Sequence, residues 1–183
     1  MTLFYKWVPA RYAATQTLEV DSASMRFNAK GQTREIAFHS VSSAYWREMK
    51  SYGLRTFTII DKSGFELPIS NGWGAARQPE GASFDEVVDA ILTGLANTQP
   101  AFEVVLGYSP RMKLNTLLQG LPLVAITAVI YWFTQRDQNL LVTLSLLAAA
   151  AVIYLFVVVH QSGGFSPKKT TARQLADALS KSR

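Results

Sequence analysis

Apolar and polar residues alternate in short runs from Leu3 to Ile69, and this period of two predicts β-strands. Leu3, Tyr5 and Trp7 share one face of a first strand. The same aromatic segment, with Phe4, Lys6 and Arg11, also fits an element lying at a membrane interface; the strand is the preferred reading. Thr17-Leu18-Glu19-Val20 and Met25-Arg26-Phe27-Asn28 alternate again. Between the latter and the next strand, residues 34–38, Ala29-Lys30-Gly31-Gln32 forms a turn in which Gly31 supplies a positive φ. Residues 41–49 make a longer strand with Val41, Ser43, Tyr45, Arg47 and Met49 on one face. Residues 51–53 turn the chain, and residues 54–60 are rich in β-branched and aromatic side chains. Asp61-Lys62-Ser63-Gly64 is a hairpin turn into Phe65-Glu66-Leu67-Pro68-Ile69, where Pro68 marks an edge or an end.

The period then changes. A glycine-rich loop runs from Ser70 through Gly72-Trp73-Gly74 to Gly81. Ser83 and Glu86 stand at capping-box spacing. Phe84, Val87, Val88, Ile91, Leu92 and Leu95 form one apolar stripe, which predicts a helix over about 84–96 that stops before Pro100. Residues 102–106 read as a last extended segment. Near the C-terminus Thr171 and Gln174 repeat the capping pattern. Ala172, Leu175, Ala176 and Leu179 make a narrow stripe, so residues 171–181 form a short helix if something packs on them.

Two apolar runs lie between these parts, at about 114–134 and 140–159, joined by Gln135-Arg136-Asp137-Gln138-Asn139. At a rise of about 1.5 Å per residue each is long enough for a bilayer core of roughly 30 Å. The reading is a transmembrane helical hairpin over 107–160. It sits between a β domain over 1–106 and a basic tail over 161–183. The alternative, two buried helices of a soluble domain, needs more surrounding protein than this chain supplies. Gly120, Ala128, Ser145 and Ala149 are the small residues expected to seat helix on helix. Neither run holds Asp, Glu, Lys, Arg or His, which argues against a transport path made by this chain alone.

Charge adds a direction. Residues 1–113 carry twelve Lys and Arg against eleven Asp and Glu, so the net charge of +5 lies mostly in the tail. Arg111 and Lys113 precede the first run, and Lys168 and Lys169 follow the second. As membrane-flanking bases they place both termini on the cytoplasmic side of an inner (plasma) membrane. The tail is also a candidate for contact with anionic lipid. No basic patch interleaved with aromatics marks a nucleic-acid partner. The absence of cysteine excludes disulfides, thiolate metal sites and cysteine nucleophiles.

Candidate chemistry is sparse. His39 and His160 have no carboxylate at metal-ligand spacing and read as solvated or capping residues. Asp85, Glu86 and Asp89 open a helix, where the dipole favours acids. The Gly72-Trp73-Gly74 loop lacks the lysine and hydroxyl of a phosphate loop. No catalytic residue, metal site or cofactor is therefore expected. Trp73 and Arg77, in this loop, are the candidates for contact with a partner.

The strand–turn–strand segment Arg34-Glu35-Ile36-Ala37-Phe38-His39-Ser40-Val41-Ser42-Ser43-Ala44-Tyr45, with the helix from Phe84 to Leu95 after it, resembles the bacterial pleckstrin-homology-like (PH-like) family. The resemblance spans about residues 15–97. It implies an α+β membrane protein: a small barrel or curved antiparallel sheet closed by one amphipathic helix, then the hairpin. Only Arg26 and Lys30 lie near the place of the family's lipid-headgroup cluster, so headgroup binding does not carry over. The expected function is that of a membrane-anchored, non-enzymatic binding or scaffold module. Its expected partners are the lipid bilayer and another membrane protein, as an accessory subunit, or further copies of itself. The alternative is a self-assembling pore or membrane-disrupting effector with a sensory head.

Overall fold

The computed structural model describes residues 2–8, 14–49, 53–71, 81–115 and 168–181, and the single positions 118, 125, 149 and 154. The chain divides into two compact units, Met1–Gly107 with Lys168–Arg183, and Tyr108–Pro167.

In the first unit β1 (Leu3–Trp7), β2 (Gln16–Val20), β3 (Ser24–Ala29) and β4 (Gln32–Ala37) form an antiparallel meander in chain order. Its strands alternate as strands buried on one face must. Tyr5, Trp7, Leu18, Val20, Met25 and Ile36 face the core and are buried. On the opposite face Glu19, Arg26 and Glu35 stand in one cross-strand row. Arg26 reaches both carboxylates there, at 3.6 and 3.8 Å.

A 3-10 turn (Phe38–Ser40) leads into the second sheet. Its strands are β5 (Val41–Met49), β6 (Leu54–Asp61), β7 (Glu66–Ser70), β8 (Glu103–Leu106) and β9 (Lys168–Thr171), ordered β7-β6-β5-β8-β9. A bulge between Val41 and Ser43 shifts the pairing of β5 with β6. It reverses the faces of the strand: Val41, Ala44 and Trp46 are buried, whereas Tyr45 and Arg47 lie on the other side. β8 joins β5 in parallel, a pairing that needs a long crossover. That crossover contains β6, β7 and helix α1 (Phe84–Thr98).

Both halves of the capping box are made at the start of α1, with Ser83 N–H donating to Glu86 and Glu86 N–H donating to Ser83 Oγ. Its apolar stripe, Phe84, Val87, Val88, Ile91, Leu92 and Leu95, is buried in a core shared with both sheets. Helix α2 (Ala172–Lys181) follows β9 and packs along α1, burying Ala172 and Leu175. The expected Thr171–Gln174 capping box is also formed. The C-terminal segment is thus an edge strand and a helix of the first unit.

Three expectations are corrected here. Two separate sheets form instead of a closed PH-like barrel, because β8 and β9 occupy the outer edge of β5 and the second sheet grows outward. The expected hairpin and its spans fall almost wholly outside the described residues. Among the described residues no helix is long and apolar enough to cross a membrane. The reason is length and pattern: α1 has 15 residues and α2 has 10, and each keeps a polar face. The structure therefore does not support a membrane-protein class, nor an inner-membrane location with two spans and cytoplasmic termini. It is an α+β fold of two sheets and packed helices.

In the second unit residues 110–115 are helical. Ser109 caps them, its Oγ accepting from Met112 N–H at 3.2 Å and its carbonyl from Lys113 N–H at 2.9 Å.

Candidate functional site: an aromatic cavity under an edge strand

The site grows from two hairpins. Between β3 and β4, Lys30 (φ 52°) and Gly31 (φ 76°) both take positive φ. This pattern is the type I′ turn that matches the twist of its strands. It sets Phe27 opposite Arg34 on the core-facing side of the first sheet. Between β6 and β7, Asp61 organises the second turn. Its Oδ1 accepts from Ser63 N–H at 2.8 Å, Ser63 Oγ at 2.6 Å and Phe65 N–H at 3.0 Å. The Phe65 ring is thereby held beside β4.

Arg34 joins the hairpins. Its Nη2 donates to Asp61 Oδ2 at 2.8 Å and to Ser63 Oγ at 2.5 Å, and its guanidinium carbon lies 4.0 Å from the Phe65 ring centroid. Burial pushes the Asp61 carboxyl up, but the bonds from Ser63, Phe65 and Arg34 outweigh it and hold the carboxyl below the ordinary aspartate value. Arg34 remains 41% exposed. Beside it opens a cavity of about 530 Å³ lined by Phe27, Ala29, Gln32, Thr33, Arg34 and Phe65.

Aromatic rings lead inward from this cavity. Phe65 to Phe27 is 6.2 Å between centroids, Phe27 to Trp7 is 6.0 Å, and Trp7 stacks on Tyr5 at 5.5 Å. Directly behind the lining, Trp7 and Gln16 pair across β1 and β2, Gln16 pairs with Ala29, and Ala29 with Gln32. Trp7 Nε1 and Gln16 Oε1 are buried with no hydrogen-bond partner among the described residues. Each unmade bond costs about 1–3 kcal/mol. Native folds retain few such groups, and functional sites are one place where they are found. The row that holds both ends at the cavity lining.

A second cavity, about 560 Å³, is lined by Ser42, Ser43, residues 99–103, Val105 and Lys169. Ser42, Gln99, Glu103 and Lys169 in this lining are engaged in holding the fold. Gln99 Nε2 donates to the carbonyls of Phe38 and Val41 at 2.8 and 3.3 Å, and Lys169 pairs with Glu103 at 2.7 Å. Elsewhere Arg55 pairs with Asp85 at 2.6 Å, and its N–H donates to Asn71 Oδ1 at 2.6 Å. Tyr5 OH donates to the Ser70 carbonyl at 2.9 Å. Burial first, then Asp85, raises the Tyr5 phenol well above its ordinary value, against a lowering by Arg55. This cluster ties β6 to the start of α1 and to the end of β7, and β1 to the end of β7. Among the described residues no group of three histidine, aspartate or glutamate side chains could hold a metal ion.

Of the residues singled out in the sequence, Trp73, Arg77, Gly120, Ala128 and Ser145 lie outside the described residues. Ala149 is helical and exposed, Arg111 is exposed and Lys113 is half-buried, both on the helical stretch 110–115. Lys168 and Lys169 are exposed on β9, where they form an edge strand. Lys168 and Lys169 are not among the described residues that line the aromatic cavity. The cavity's own residues were missed, although one signal was present. Strand parity puts Arg34 on the same face as Ile36, so a cation occupies an inward position.

No protein-family model matches this chain, and no curated protein matches it. The PH-like resemblance drawn from the strand pattern thus has no support, and the cavity must be interpreted from its own chemistry.

Proposed function

We propose that this chain is a non-enzymatic binding module and that the cavity beside β4 receives its partner. One observation carries this reading. Phe27 and Phe65 offer open aromatic surface beside the half-exposed guanidinium of Arg34. Flat apolar surface with one oriented cation is the make-up of a recognition site. The charged groups nearby are engaged in building it, since the Asp61 carboxylate accepts bonds from three residues and is a structural acceptor.

The test is isolation of the tagged full chain from its native cell under mild conditions, beside a Phe65→Ala variant and a Glu48→Ala control. The reading expects a fixed companion that the control keeps and the Phe65→Ala variant loses, with both variants folded by circular dichroism. A companion retained by the Phe65→Ala variant, or the absence of any companion, contradicts it.

A further inference from the structure

We infer that the partner is bound as an extended acidic peptide segment that adds to β4 as a fifth strand of the first sheet. The inference rests on the binding reading above and names its occupant. The closing pair of a two-residue hairpin is hydrogen-bonded, and bonded pairs then alternate. Ala29↔Gln32, Phe27↔Arg34 and Met25↔Ile36 are therefore the bonded pairs of the β3–β4 register. The N–H and C=O groups of Thr33 and Glu35 point away from β3, at the edge of the sheet. Both side chains are exposed.

The other sheet edges are less available. On β1 the Phe4 carbonyl accepts from Ala82 N–H at 2.8 Å. β7 carries Pro68, which has no N–H. β9 is four residues long and carries two lysines.

Residues directly opposite each other in a sheet share a face. A segment residue opposite Arg34 thus points toward the cavity, beside the guanidinium stacked on Phe65. Both bonds that Arg34 donates come from Nη2. Nε and Nη1 make none among the described residues and can receive a carboxylate. The segment's next inward side chain lies opposite Gln32, beside Phe27 and Ala29, and should be apolar. Glu35 does not oppose an acidic segment, because it lies on the other face with Ser24 and Arg26.

The probe is an acetylated, amidated heptapeptide of alternating threonine and valine with glutamate at its centre. It is titrated into the full chain while amide hydrogen exchange is followed. The Thr33 and Glu35 amides are expected to slow on binding. A lysine-centred peptide should bind at least about tenfold more weakly, and N-methylation of the two threonines flanking the glutamate should abolish binding. Thr33→Pro should do the same with the fold intact, since only an outward N–H is lost. Absence of binding, unchanged exchange at both amides, or equal affinity for the methylated peptide overturns strand addition. If partner binding in cells still depends on Phe65, that failure leaves the cavity as the site and rejects only this occupant.

Discussion

The ring of Phe38 occupies the space that a side chain at position 94 would need: a Cβ on Gly94 would stand 2.7 Å from Phe38 Cδ2 and closer still to Cε2. α1 approaches the 3-10 turn this closely because Gly94 has no side chain. Alanine normally favours a helix over glycine by about 1 kcal/mol. Here we expect Gly94→Ala to destabilise the protein by about 1–3 kcal/mol in urea unfolding, because overpacking dominates. Phe38→Leu in the same chain should recover part of the loss, and strict additivity of the two changes would contradict the contact.

The Arg34–Asp61 bond should make stability depend on acid. Folded Asp61 ionises below the 3.8 of a free aspartate, so its contribution is complete above that value and is lost as pH falls through the folded value. Asp61→Asn should lower stability at neutral pH by about 1–2 kcal/mol, a figure discounted for the exposure of Arg34. It should also flatten the acid limb of the unfolding midpoint against pH. An acid limb as steep as that of the parent would assign the dependence elsewhere.

Tyr5 should act at the opposite end of the scale. Its phenol is raised above 10.0 in the fold, so its contribution is complete below that value and is lost at higher pH, where the unfolded chain ionises first. Tyr5→Phe should cost about 1 kcal/mol at neutral pH through loss of the bond to Ser70. It should remove part of the alkaline decline, measured as the midpoint temperature between pH 8 and 11.

Reading the sequence recovered what is local and periodic. The alternation of β1 to β4, the Gly31 turn and both capping boxes are each set by neighbours a few positions apart. β9 was not legible, because Lys168-Lys169-Thr170-Thr171 has no apolar alternation and its partner β8 is some sixty residues earlier. The faces of β5 were not legible either, since one inserted residue at Val41–Ser43 reverses them. The cavity brings together β3, β4 and the Phe65 turn, and nothing along the chain ties Phe27 to Phe65. The one local sign of the cavity is Arg34, which strand parity places on the inward face with Ile36.

The return of the chain end to α1 gives a contrast between neighbouring positions. Leu175 is 7% exposed against α1, so Leu175→Ala should cost about 2–5 kcal/mol. Lys169 and Glu103 are more than half exposed, and Lys169→Ala should leave the unfolding midpoint unchanged. Equal effects of the two substitutions would mean that the edge pair, and not the packing of α2, holds the segment.

The central claim is that a partner sits against the cavity beside β4. It is tested most directly by placing a photo-crosslinking amino acid in the full chain within its native cell, at Gln32 on the cavity lining or at Asp177 on the exposed side of α2. The account predicts one discrete adduct from position 32, suppressed when Phe65→Ala is added, and none from position 177. Adducts of equal yield at both positions, or an adduct at 32 that survives Phe65→Ala, would contradict it.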